Sequence, residues 1–462
     1  MAGILFLFFV PGSSLFNITY ISLNVQGVSK AYNKDEVNTI TIQSRDFPIS
    51  VAEASSENIS VLVYSNSLGF TLTKNSELGI NSNLENGNLT FVVTEPHGLT
   101  SRGDSYIQLR VPANYSTNLS IINNNATVNI EKEDFTINNL YYNSNLGEFN
   151  LNSGSIVGNL DLELNRSDFN LGENAVTNNN NVTINVNDGE FNATHSNLGE
   201  VLIESNTRAI FRIAECDRLT ERVTTAGGRI EAGTIGSINV RTSDTNVYIN
   251  TLTNGGTINL TDGGNIEISN TYALTDLTTR LGDISVNGAH AGLVVSSHDG
   301  NINVENAYLY VNATNAYGDI NVNFSNEADS YTSETSSRRL VATTENGKIS
   351  STGVENLLIT IDGSGRVEVN MRDVLGVNSI VGDTGSVSLI LNKDSQYTLT
   401  TKSDAGNVSV DLLQIDTTVG NIGYTSREET TTRVNLKDWE SSENSLVVTT
   451  TSGNLTIRDT GV

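Results

Sequence analysis

Three pentamers, Gly282-Asp-Ile-Ser-Val, Gly300-Asn-Ile-Asn-Val and Gly318-Asp-Ile-Asn-Val, follow one another at intervals of 18 residues. A period this short restricts the fold severely, because one unit cannot bury a face alone and must stack on its neighbours. The pattern continues with Gly347-Lys-Ile-Ser-Ser, Gly365-Arg-Val-Glu-Val, Gly385-Ser-Val-Ser-Leu, Gly406-Asn-Val-Ser-Val, Gly420-Asn-Ile-Gly-Tyr and Gly453-Asn-Leu-Thr-Ile. Looser members begin at Gly158, Gly189, Gly228, Gly256 and Gly264. A second apolar pair precedes the glycine in each unit: Leu293 and Val295, Val311 and Ala313, Leu340 and Ala342. Two short strands per unit follow, and the inward residues Ile284, Ile302 and Ile320 are expected to form one continuous column. The reading is an all-β protein, a β-solenoid resembling a parallel β-helix, with coils of roughly 18 to 21 residues. Glycine at the corner is expected to supply a positive φ, and Asn and Asp to tolerate that conformation and join coils through side-chain ladders.

Composition agrees with stacked coils. The chain has 39 Gly, only four Pro and 17% charged residues among 462, which excludes a Lys/Glu/Ala-rich helical bundle. Its 62 Asn concentrate in places such as 123–125 and 178–181. Each of those runs leads directly into an alternating segment, so both read as turns rather than disorder. Three regions follow. Residues 1–16 hold a signal-like apolar segment, seven residues from Ile4 to Val10, too short to span a bilayer; a longer anchor or a buried strand are its alternatives. Residues 17–115 are β-rich without a visible period, a cap or a sandwich, and contain the alternating strand Tyr106 to Pro112. Residues 116–462 are the repeat array.

Chemistry is sparse. A formal charge of −26 and a pI of 4.4 oppose binding to nucleic acid. Cys216 is the one cysteine, expected to be buried and inert. His290 and His298 fall within one coil beside Asp299, either a surface metal pair or ordinary turn residues. Asp283, Asp319 and Asp383 sit in turns, where backbone hydrogen bonding accounts for them. The calcium-binding nonapeptide is missing, since Thr253-Asn-Gly-Gly-Thr-Ile-Asn breaks it at the fourth position. No catalytic residue, cofactor or structural metal is expected.

Asn-x-Ser/Thr acceptors occur at Asn17, Asn58, Asn88, Asn114, Asn118, Asn125, Asn165, Asn181, Asn192, Asn259, Asn312, Asn323, Asn407 and Asn454. Composition alone yields about 13 such triplets, so their number carries no signal. Asn165, Asn192, Asn312 and Asn407 flank strands and are the better glycosylation candidates.

The strand ending in Val111-Pro112, then Leu119-Ser-Ile121 and the repeated Gly-(Asp/Asn)-Ile-x-Val units resemble the putative-adhesin β-solenoid domains of cell-surface proteins. The resemblance spans residues 17 to 460 and implies an extracellular or cell-surface, non-enzymatic structural or adhesive protein. The primary expectation is a head-to-tail fibre of identical subunits. It rests on the final pentamer at Gly453, which five residues beyond Ile457 cannot cap. A solitary rod binding glycans or cell surfaces is the alternative, and a polysaccharide lyase or hydrolase on a β-helix is a second. Ile320→Asp is expected to cost several kcal/mol, whereas outward Asn321→Asp is expected to be nearly neutral.

Overall fold

The computed structural model describes residues 19–71, 79–94, 99–177, 180–205, 207–223, 227–327, 337–412, 430–434, 436 and 442–460. The pentamer at Gly420 and the sequon at Asn17 lie outside them. Two compact units divide the chain, residues 1–197 and 198–462, and each is a β-solenoid of stacked parallel coils. Among the described residues there is no α-helix, only a short 3₁₀ turn at Lys34–Glu36.

In residues 198–462 the isoleucine column forms as expected. Ile266, Ile284, Ile302, Ile320, Ile349, Val367 and Val387 lie opposite one another in parallel register, and all are buried. Facing them, a second column runs Ile258, Leu277, Val295, Ala313, Ala342, Ile359 and Ile380. One coil therefore contributes about four buried aliphatic side chains, each stabilising by roughly 1.5–3 kcal/mol if large and fully covered, and that cover comes from the coils above and below. Gly256-Thr-Ile-Asn-Leu is a correction to the reading of one pentamer series. Its Ile258 stacks on Leu277, so that pentamer belongs to the second column.

The expected reason for the glycines holds at only some corners. Gly228, Gly256 and Gly264 have positive φ, at 111°, 138° and 101°, whereas Gly282, Gly300 and Gly318 do not. What they lack is space. A Cβ on Gly300 would stand 1.8 Å from the carbonyl oxygen of Gly282, so consecutive corners approach too closely for any side chain.

Order along the stack departs from order along the chain at the C-terminal end. Strands Ser445–Thr450 and Leu455–Asp459 lie between two earlier coils. Ser445–Thr450 pairs with Val377–Gly382 on one edge and Tyr397–Ser403 on the other; Leu455–Asp459 pairs with Val387–Leu391 and Val408–Asp411. The pentamer at Gly453 is thus an interior layer and not an open end, which corrects the premise of the fibre expectation. The outer edge of Tyr397–Ser403 is covered by the antiparallel strand Thr430–Val434.

Residues 1–197 use aromatic rings in place of isoleucine. Phe149, Phe169 and Phe191 follow Val128 in register, with ring centroids 4.7 and 5.8 Å apart and planes within 10°. Tyr142, Leu162 and Ile184 form the facing column. Here too a coil is displaced. Thr39–Gln43 and Ile49–Glu53 are flanked by Asn88–Thr94 and Leu99–Val111 on one side, and by Ser116–Asn123 and Thr127–Ile130 on the other. Antiparallel strands Gly79–Glu85 and Asn58–Thr71 cover the outer edges of Asn88–Thr94 and Leu99–Val111, and Thr19–Val28 pairs with Asn58–Thr71. Capping an edge with antiparallel backbone removes a template for intermolecular pairing.

Candidate binding face

Four successive units of the repeat place a polar pair four and three positions ahead of their glycine: Thr278-Thr279, Ser296-Ser297, Thr314-Asn315 and Thr343-Thr344. Strand alternation sends the two members to opposite sides. The second turns inward and is buried, where it ties the corner. Ser297 Oγ accepts from Gly300 N–H at 3.0 Å and donates to Gly282 O at 3.1 Å, and Thr344 Oγ1 accepts from Gly347 N–H at 2.9 Å. Two buried backbone groups per corner would otherwise lack partners.

The residue after each glycine completes the corner. Asn265 Oδ1 accepts from Asp283 N–H, Asp283 Oδ1 from Asn301 N–H, Asn301 Oδ1 from Asp319 N–H and Asp319 Oδ1 from Lys348 N–H, all at 2.7–3.0 Å. Asp283 and Asp319 are therefore structural, but they bond the next coil rather than their own turn. Outward asparagines on the strands behave alike. Asn321 donates to Asn303 at 2.8 Å and accepts from Ser350 at 3.1 Å, while Asn323 donates to Glu305 and accepts from Thr352. In residues 1–197 similar ladders run from Asn170 through Asn150 to Asn129, and from Asn187 through Asn165 and Asn145 to Asn124. The side chains of these columns are engaged in holding coils together.

One column is not. Asn259, Thr278, Ser296, Thr314, Thr343 and Thr360 lie in parallel register on the outward side of the second stack. Their side chains make no hydrogen bond to the rest of the described residues. A cavity of about 490 Å³ opens over the first five, bordered by the corner residues Arg280, His298, Glu345 and Asp362. Arg280 lies 3.7 Å from Asp262, and His298 Nδ1 lies 3.1 Å from Asp299. The sequence carries a signal for this trough, a hydroxyl residue four positions ahead of successive glycines, which the search for apolar and glycine periods passes over.

The other singled-out residues fall elsewhere. His290 is stacked between the rings of Tyr272 and Tyr308, at 4.4 and 4.8 Å. Among the described residues no three His, Cys, Asp or Glu side chains converge in a way that could hold a metal ion. Cys216 is buried, and burial pushes its thiol up to about 12. The described sequon asparagines are all exposed or half-buried. Of the four better candidates, Asn165 has its amide engaged on both sides by the ladder, and Asn192 accepts from Thr194. Asn407 donates its backbone N–H to Asn454, and Asn312 is half-buried on the outward side of its strand.

One protein-family profile, described as Toastrack DUF4097, matches residues 37–232 and again 229–345, more than half of the chain. The chain belongs to the Toastrack DUF4097 family. The Toastrack match begins two residues before the first parallel strand at Thr39 and takes in the unpaired column from Asn259 to Thr343. A search of curated proteins finds no relative of this Toastrack chain. Among solved structures, it matches "a putative cell adhesion protein" from Clostridium sporogenes ATCC 15579 at 7% identity over 94% of this chain and 99% of that one, with a TM-score of 0.15. At that level the likeness carries no argument about the role of this Toastrack protein.

Proposed function

We propose that this Toastrack protein is an extracellular, non-enzymatic, adhesin-like β-solenoid that presents its free hydroxyl column to a surface ligand. The contrast between the two outward faces supports this reading. One face closes its amides and hydroxyls into ladders between coils, and the other leaves one group per coil open to solvent beside a cavity. Binding of the purified full chain to whole cells and to a glycan array, with parallel assays for reducing ends and unsaturated sugars, tests it. Retention without turnover is the expected result; turnover would move the protein to the lyase or hydrolase class.

A second reading, the head-to-tail fibre, keeps one foothold. Val408–Asp411 pairs with Leu455–Asp459 on one edge and has no partner on the other among the described residues, and a bare parallel edge is a template for another chain. Fibres in electron micrographs of native material, together with light scattering that rises with concentration, would support it.

A further inference from the structure

We infer that the ligand of the trough is a neutral, linear polysaccharide lying along the solenoid axis; the inference rests on the adhesive reading above and specifies its ligand. The column from Asn259 to Thr343 crosses five coils, which at about 4.8 Å per coil gives a track of about 20 Å. That length accommodates several consecutive sugars rather than one. Each coil offers a hydroxyl or amide that both donates and accepts, the complement of a polymer rich in hydroxyl groups. None of these groups has a competing protein partner among the described residues, so binding need not break an existing ladder.

Charge selects against acidic polymers. Arg280 is held near Asp262 and His298 near Asp299, while Glu345 and Asp362 border the cavity without an ion pair among the described residues. The unpaired charge beside the track is therefore negative, on a chain whose formal charge is already −26. A neutral chain pays no such repulsion, and the strand residues that meet it carry no charge.

The test is affinity electrophoresis of the full chain through gels containing an unbranched neutral polymer, mixed-linkage β-glucan or linear mannan, or the anionic polymer alginate. Retardation is expected in a neutral gel and not in alginate. The double variant Thr314→Val/Thr343→Val, which keeps shape and strand propensity while removing two hydroxyls, should weaken retardation at least tenfold. Ser285→Ala on the other outward face should leave it unchanged, and unaltered melting of all variants guards against misfolding. Glu345→Gln/Asp362→Asn should admit alginate. Neutral-polymer binding that survives the double valine variant overturns the trough as the site. Cell binding without retardation by either neutral polymer, or with preference for alginate, overturns the ligand class and leaves the adhesive reading standing. Failure to bind cells, array glycans or polymers overturns the adhesive reading itself.

Discussion

Gly300 shows how little tolerance the corner has. Its missing Cβ would overlap the Gly282 carbonyl at 1.8 Å, and a carbonyl anchored in the ladder cannot retreat. Gly300→Ala should therefore cost about 3 kcal/mol, read as a lower denaturant midpoint. Gly292→Ala is the matching control. Its nearest neighbour is 3.2 Å away at the tip of Leu274, an exposed and adaptable side chain, so a change within about 0.5 kcal/mol is expected. Residue-scale detail also revises the expectation for Asn321→Asp. The side chain donates to Asn303 Oδ1 at 2.8 Å, and a carboxylate would set two acceptors against each other. A loss of about 1 kcal/mol in melting experiments is expected in place of neutrality, still well below the cost of placing Asp at the fully buried Ile320. Alternation in the sequence tells inward from outward, and it does so correctly here. It cannot tell which outward amides are already engaged, because that depends on the residue one coil away.

Strands bring like charges together as readily as amides. Glu148, Asp168 and Glu190 occupy successive rungs, and burial, with the carboxylates on either side, raises the Asp168 pKa above the usual carboxylate value although Glu190 N–H bonds to it. A raised carboxyl pKa means that the native state binds more protons than the unfolded chain, so this rung weakens the fold at neutral pH and ceases to do so as pH falls through the raised value. Asp168→Asn keeps the oxygen that accepts from Glu190. It should raise the melting temperature at pH 7 by the equivalent of a few tenths of a kcal/mol, with the gain fading at pH 4. A second element-scale prediction concerns Thr430–Val434, which covers the edge of Tyr397–Ser403. Replacing its five residues with a Gly/Ser linker should expose a parallel edge and produce concentration-dependent light scattering at neutral pH. Unchanged scattering would mean that this strand is dispensable as a cap.

For the whole molecule, the solenoid is legible in the sequence because glycine, aspartate or asparagine, and the inward aliphatic residues recur in phase. The shuffled layers are not legible, for a physical reason. Gly406-Asn-Val-Ser-Val and Gly453-Asn-Leu-Thr-Ile present the same Gly-Asn corner followed by an alternating aliphatic pair, so either would fit next to Val387. The choice depends on connections and edge partners that no single coil encodes. The candidate trough is legible in part: the paired polar residues ahead of four successive glycines are visible, but only the three-dimensional register separates the buried member that ties the corner from the open one. Displacement of the last layer has a measurable result. Removing residues 442–462 would take out a middle layer and leave Tyr397–Ser403 without its parallel partner, so amide hydrogen exchange should accelerate across 377–403 while Ile284–Ala289 keeps its protection. In an array stacked in chain order, the same truncation would leave residues 397–403 next to 377–382 and still protected.

The displaced layer also bears on how the protein is made. A ribosome delivers 397–411 before 445–459, yet the later segment must seat between that coil and the one before it. The nascent chain must either hold a gap open or form a provisional contact between 377–391 and 397–411 and then release it. Synthesis from one end to the other can complete the coils from Ile266 to Val387 in turn as they emerge, but the layers beyond Val387 reach their native order only after residue 459 has cleared the exit tunnel.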